Sequence, residues 1–535
     1  MTPPDLNDRQ CDSPGALWVL AEVLMLVMLF FIYAGDPAPM VNEAHYLVKA
    51  KNFWQPEWCQ NDLFTTSAKA HTTFYIALGW LTQFVSLSAT AWIGRFVGWL
   101  LIAIGLQRLS MAVIGRRLAS VAVALVWIAG IEYGNLAGEW VIGGIEAKVP
   151  AYGFVLMGLA EMAHRRWNRV WPLLGIASAF HVLSGGWAVL AAMFVWWMTE
   201  RRRDDRIAFF SKALFVGGAI SLLGLLPAVW LTLGVSPKES LIGAKIYTYQ
   251  RISHHLLPSN FMMQWYIRHG VLVIGMLAGF IFAKPRSRAA FNIVQWFAIG
   301  CASIAVCGLM IGALPAVAPD LSAKLLRYYW FRLTDAIVPL AFGITVAQLL
   351  LEHTNARRLV GLGCLIIATG LVMASAYQRA SLAVPPSASH RLLGYDVGAS
   401  VEQQRQTFQD WIAVCQWARH ATPEDELFLT PRHQQTFKWY AHRAEVVNWK
   451  DVPQDASSLI TWKRRFDKVF PSRNYGRSRT PIRYDMLRSY RDEYGVRFMI
   501  VDQRIRRGAA LPLVKVYPIG KEANATYAVY ELPYD

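Results

Sequence analysis

Residues able to do acid–base or anion chemistry fall into a few short clusters of this sequence. The first runs from Asp36 to Tyr46, directly after a long apolar stretch, and contains Asn42-Glu43-Ala44-His45-Tyr46. A carboxylate at the mouth of an apolar helix is partly desolvated, which raises its pKa or requires a cationic or metal partner. Glu43 is therefore a candidate general base, and the same spacing would equally let Asp36 and Glu43 cap and solvate a loop. The second cluster is Glu139-Trp140-Val141-Ile142-Gly143-Gly144-Ile145-Glu146-Ala147-Lys148. Glu146 and Lys148 open the next apolar run, where an unpaired charge costs roughly 2.5 kcal/mol or more. They must pair or face a polar cavity, and a structural salt bridge fits as well as a catalytic pair of Glu139 and Glu146.

Arg251, His254 and His255 form a third cluster, and Arg327-Tyr328-Tyr329-Trp330-Phe331-Arg332-Leu333-Thr334-Asp335 a fourth. Arginine beside a membrane surface suits a phosphate, because its planar donors match two oxygens. The interleaved aromatics can stack on a sugar or belong to an interfacial belt. His181, in Ala179-Phe180-His181-Val182, is an imidazole in an apolar run, which serves either an internal hydrogen bond or a functional site.

The elements that must position these clusters are set by composition. The chain has 535 residues, of which 55% are hydrophobic and only 17% charged, with 22 Trp and 26 Phe. A soluble domain carries roughly 25% charged residues, so the expectation is a polytopic α-helical membrane protein. Apolar runs of spanning length lie near 16–35, 91–107, 117–134, 147–163, 211–234, 269–283, 290–314, 333–351 and 358–378. A hairpin over 171–198, turning at Ser184-Gly185-Gly186, keeps the arginine clusters on its two flanks on one side and brings the total to about 11 spans. The start of the chain lacks a basic n-region and cleavage site, so the first run is expected to be a retained anchor.

Basic residues orient such a bundle. With residues 72–90 read as an interfacial helix inside one long first outer loop, 36–90, the inner loops hold 15 Lys and Arg in 39 residues and the outer segments 10 in 121. The reading is an amino terminus in the cytoplasm and a carboxyl-terminal domain on the exoplasmic, periplasmic side of a plasma (bacterial inner) membrane. The net charge of +17 then belongs largely to topology, and no nucleic acid is expected as partner. No G-x-x-x-x-G-K-[ST] loop is present, which argues against an ATP-driven pump. The six cysteines form no C-x-x-C pair, so neither a disulfide framework nor a zinc site is indicated.

Residues 1–380 thus read as a membrane domain, 381–399 as a linker and 400–535 as a soluble α/β domain. In the last, helices are expected over 407–421, 433–442, 457–470 and 482–494. Strands are expected over 426–430, 444–449 and 496–502, with edge strands near 513–517 and 526–532. The basic residues Lys463, Arg464, Arg465, Arg473, Arg477 and Arg479 read as a solvated face or a patch for acidic head groups.

The arrangement resembles the GT-C superfamily of membrane glycosyltransferases, which includes protein O-mannosyltransferases, aminoarabinose transferases and oligosaccharyltransferase catalytic subunits. Asn42-Glu43-Ala44-His45-Tyr46 is similar to the family's acidic motif, Phe74-Tyr75-Ile76-Ala77 to its horizontal helix, and Trp92-Ile93-Gly94-Arg95 to the arginine opening its second span. Arg327 to Asp335, followed by Pro339, resembles its late arginine-rich stretch near a lipid phosphate. The resemblance implies transfer of a sugar, with inversion, from a polyprenyl-phosphate donor reached through the lipid bilayer to a glycan, lipid or protein acceptor. It implies carboxylates as catalytic groups (Glu43, with Glu139 or Glu146), and His45, Arg95, Lys148, His181, Arg251, His254, His255, Arg327 and Arg332 as substrate-binding groups. No organic cofactor is implied, and a divalent metal is left open because Asn42 stands where the family has its first acid. A transporter or flippase of a lipid-linked or polar substrate is the competing reading, although no internal repeat supports it.

Overall fold

The computed structural model describes residues 15–40, 42–351, 354–382, 384–385, 399–432, 434–471, 484–506, 511–520 and 523–533. Cys11, most of the expected linker and Arg473, Arg477 and Arg479 lie outside them. Helices occupy every apolar run read from the sequence: Ala16–Ala34, Leu87–Val113, Ala119–Gly134, Lys148–Ala163, Trp167–Phe180, Val182–Thr199, Lys212–Trp230, Met263–Phe282, Arg288–Gly312, Arg332–Leu349 and Asn355–Ala380. Eight of these are long and apolar enough to cross a membrane. Lys148–Ala163, with 16 residues, and Trp167–Phe180, with 14, are shorter.

Small residues let the helices approach closely, as expected where lipid supplies no hydrophobic drive between them. A Cβ on Gly105 would lie 2.7 Å from that of Leu156, and one on Gly175 would lie 2.3 Å from the Gly217 carbonyl oxygen. Outward faces stay apolar, with Phe215, Leu223, Leu226 and Trp230 all exposed along Lys212–Trp230.

Two local expectations are corrected. The hairpin turns at His181, not at Ser184-Gly185-Gly186: His181 is extended, and its Nδ1 accepts from the Ser184 N–H at 3.1 Å, capping the second helix. Gly185 lies inside that helix, against Ser178. Residues 72–90 do not form one interfacial helix. A short helix, Thr72–Ala77, gives way to a 3-10 turn at Gly79–Gln83, and the next long helix starts at Leu87, capped by Ser86. The break falls where Gly79 packs on Ala50, which a Cβ would meet at 2.9 Å.

Beyond the last long helix, Val401–Ala421 leads into a small five-stranded sheet: β1 (Leu427–Leu429), β2 (Ala444–Glu445), β3 (Phe498–Asp502), β4 (Val514–Tyr517) and β5 (Tyr527–Glu531), in the order β2-β1-β3-β5-β4. The first three are parallel, and β5 runs antiparallel between β3 and β4. Residues 526–532 are therefore an interior strand and not an edge; the register with β3 runs from Phe498–Glu531 to Asp502–Tyr527. The period of two divides β3 cleanly. Phe498 and Ile500 face Trp411 and Val414 of Val401–Ala421, while Met499 and Val501 face Trp462, Phe466 and Tyr490 of the helices Ala456–Val469 and Tyr484–Tyr494.

This domain is fastened to the loop-rich end of the helical bundle. Trp439, on the short helix Phe437–Ala441, joins the core of the bundle. Next to it the buried Lys438 ammonium lies 3.1 Å from Asp62 of the first loop and 2.6 and 2.7 Å from Glu445 and Asp451 of the tail.

Candidate functional site

At the junction of bundle and tail lies a cavity of about 190 Å³. Its walls come from the start of the helix Glu43–Trp54 (Asn42, His45, Tyr46), the loop before Lys148–Ala163, the stretch Tyr247–His255, the start of Arg332–Leu349, and the tail loop Lys450–Gln454. Most of the sequence clusters therefore meet, although they are spread over some 400 residues.

Lys148 is the centre of the charge pattern. Its Nζ lies 2.8 Å from Glu146 and 3.1 Å from Glu139, and 4.1 Å above the Trp140 ring. Glu146 also accepts from the Asn42 amide at 3.0 Å. Burial opposes ionisation of Glu146, but Lys148, Arg332 and Asn42 outweigh it, so its carboxyl titrates below the usual range. Glu139 accepts from the Tyr152 hydroxyl at 3.2 Å and lies 3.1 Å from Arg332 Nε. Arg332 also approaches His181 Nε2 to 2.9 Å and lies over the Tyr329 ring. Tyr329 has φ +53°, a strained conformation for an aromatic residue, and its hydroxyl bonds that of Tyr247 at 2.9 Å.

The loop carrying Glu139 is itself held from below. Both Asp335 carboxylate oxygens accept backbone N–H groups, from Leu136 at 2.7 Å and from Ala137 at 2.9 Å. His255 Nδ1 contacts the Ala137 carbonyl at 2.5 Å, and burial pushes His255 down to about 3, so it is neutral. His254 packs its ring on His255, 4.1 Å between centroids, and lines the cavity beside it.

Four expected residues are not part of the cavity wall, and one of them, His181, stands behind Arg332. Glu43 is fully buried, with Oε1 taking Arg95 Nε at 2.6 Å and the Ile145 N–H at 2.9 Å, and Oε2 taking a second Arg95 nitrogen at 2.5 Å and the Met40 N–H at 2.7 Å. Arg95 makes a further bond to the Asp36 carbonyl. The two hold each other and fix the loop beneath Glu146. Arg327 ends the helix Pro319–Leu326, whereas Arg332 begins the next helix and turns inward.

Several lining residues carried no signal in the sequence. Lys450 and Gln454 belong to the polar tail and were indistinguishable there from surface residues. Arg251 is tied to that same loop, donating from Nε to the Trp449 carbonyl at 2.8 Å. Lys450 is held down to about 8 by burial and by the neighbouring Arg251 charge. Asp451, just behind the cavity wall, lies 3.1 Å from His45 Nδ1.

The donor set does not fit a divalent ion. Lys148 stands between the two cavity carboxylates, Asn42 replaces an acid, and Glu43 is committed to Arg95. Among the described residues no group of three or more His, Cys, Asp or Glu is placed to hold a metal. What the arrangement does favour is an anion: Lys148, Arg251, Arg332 and Lys450 line the cavity against two carboxylates.

Comparison with known proteins adds three findings. A family model described as a domain of unknown function (DUF6798) matches residues 409–469, a stretch that includes Lys450 and Asp451. No curated protein matches the chain. Among solved structures, the chain is similar to the archaeal oligosaccharyltransferase AglB from Archaeoglobus fulgidus, solved with an inhibitory peptide and a dolichol-phosphate (TM-score 0.42, 11% identity, covering 91% of this chain and 70% of that one). It is also similar to ArnT from Cupriavidus metallidurans in the apo state (TM-score 0.42, 17% identity, covering 97% and 99%).

Proposed function

We propose that this protein is an integral membrane glycosyltransferase that moves a sugar from a polyprenyl-phosphate donor to an acceptor hydroxyl at the exoplasmic face. The observation that carries this reading is the cavity's charge: four cations against two carboxylates, with both carboxylates already engaged by Lys148 and Arg332. Arg251 and Lys450 remain to balance a ligand. Transfer converts a phosphodiester monoanion into a lipid phosphate approaching a dianion, so two further positive charges oppose the charge that develops on the leaving group. Tyr46, Trp140, Tyr247 and Tyr329 supply aromatic faces for a sugar.

A route for the lipid chain supports the same reading. An apolar groove of about 230 Å³ runs between the hairpin helices and Lys212–Trp230, bordered by Ser178 and Val182. These lie on either side of His181, whose Nε2 is 2.9 Å from Arg332. A donor entering sideways from lipid can lay its chain there with its phosphate toward the cations.

The test is incubation of the purified full-length protein with a panel of polyprenyl-phosphate sugars while following release of polyprenyl phosphate. Release by the wild type, and its loss in Arg332→Gln, is the expected result. Absence of both binding and release across the panel overturns the proposal.

A further inference from the structure

Sugar transfer to a hydroxyl needs a group to take the acceptor proton, and the two carboxylates at the cavity are poorly suited to it. Glu146 is bonded to Lys148 and Asn42, and Glu139 to Lys148, Arg332 and Tyr152. A carboxylate stabilised by cations in this way is a weak base.

His45 is differently placed. It lines the cavity, and its Nδ1 faces the Asp451 carboxylate at 3.1 Å, while Nε2 makes no hydrogen bond with any described residue. The His45 side chain is 19% exposed and that of Asp451 only 2%, so the edge carrying Nε2 is the one left to the cavity. Asp451 is anchored in turn by Lys438 at 2.7 Å and by the Asn448 amide at 3.0 Å. The Phe64 ring packs against the imidazole at 4.3 Å and holds its plane. This is the arrangement in which a buried carboxylate fixes the tautomer of an imidazole, with the proton on Nδ1 and the lone pair on Nε2.

We infer that His45 is the general base of this site and that Asp451, delivered by the tail, is its positioning residue. The inference rests on the transferase reading. In the step, the acceptor oxygen bonds to the anomeric carbon as its proton passes to His45 Nε2. The bond from that carbon to the phosphate oxygen breaks, and its electron pair leaves with the lipid phosphate. The imidazolium then returns its proton to water.

The ionisation of the pair agrees with this role. Burial lowers the His45 pKa while Asp451 pulls it the other way, and Lys49 and Lys450 add to the lowering; His71, the other nearby imidazole, is pushed down to about 3. Asp451 titrates well below the usual range: burial works against its ionisation, and Lys438 and His45 overcome it. His45 is thus neutral at pH 7 beside an ionised partner.

The experiment uses the full-length protein, a polyprenyl-phosphate sugar that it cleaves, and water as the default acceptor. His45→Ala and His45→Gln should lose about 100-fold or more in kcat, with donor affinity within about threefold of wild type. Added imidazole should restore part of the turnover of His45→Ala. Asp451→Asn should lower kcat and move the acid limb of the pH profile, which a merely structural role would not do. Turnover of both His45 variants within about threefold of wild type, with normal donor binding, overturns the base alone. A wild-type protein that neither binds nor cleaves any donor overturns the transferase reading and the base with it.

Discussion

The side-chain amide of Asn42 donates to Glu146 Oε2 at 3.0 Å. An aspartate there would oppose two carboxylates across one hydrogen-bond distance, with Lys148 the nearest charge to offset them. Asn42→Asp is expected to lower donor turnover about tenfold, at roughly 1.4 kcal/mol per decade. The wild type, whose carboxylates hold an ammonium, should keep its activity after exhaustive treatment with a chelator. Steady-state kinetics before and after dialysis against chelator check both.

Lys450 sets an alkaline limit. Its pKa is about 8 in the free protein, so the cation is present below that pH and lost as pH rises through it. Because kcat/KM reports ionisations of the free enzyme, kcat/KM for donor should fall above about pH 8. A bound phosphate raises the lysine's pKa, so kcat should hold to higher pH. Lys450→Arg should move the limb upward, and Lys450→Gln should remove it while weakening donor binding at every pH.

Lys438 is the cation among Asp62, Glu445 and Asp451. Replacing it with Met leaves three buried carboxylates uncompensated, and breaking a buried pair costs about 3–5 kcal/mol. Lys438→Met should therefore melt well below wild type in a detergent thermal unfolding series. Adding Asp62→Asn and Glu445→Gln should recover much of the loss.

Topology is the last prediction. From the basic bias of the loops, the junction of bundle and tail is predicted to lie outside and Asn168, in the first turn of the helix Trp167–Phe180, inside. With the native cysteines removed, a membrane-impermeant thiol reagent should reach cysteines placed at Ser86 and Ser400 and leave one at Asn168 untouched. The reverse pattern would invert the assignment.

The helices were legible because apolar runs of spanning length have few alternatives in lipid. Turns were less so: Gly185 marked a close contact with Ser178 and not a bend, and the bend at His181 depends on a ring that caps the following helix. Around the cavity, Glu139, Glu146 and Lys148 were visible as charges at the edge of an apolar run, and Arg251, His254, His255 and Arg332 as basic groups of the outer loops. Glu43 and Arg95 sent the same signal for another reason, since a buried carboxylate–guanidinium pair looks in one dimension like a base and an anion ligand. Asp451 and Lys450 could not be found that way, because a charged residue in a polar tail is unremarkable until the fold lays it against His45.

The fastening of the tail through Lys438 also bears on how the protein comes into being. Every membrane helix is made before residue 381, while Lys450, Asp451 and Gln454 are still untranslated. A nascent chain halted after its last helix would own a complete bundle with one wall of the cavity missing and His45 without its carboxylate. Synthesis of the final quarter of the chain is therefore a built-in delay, during which the bundle stands without that wall.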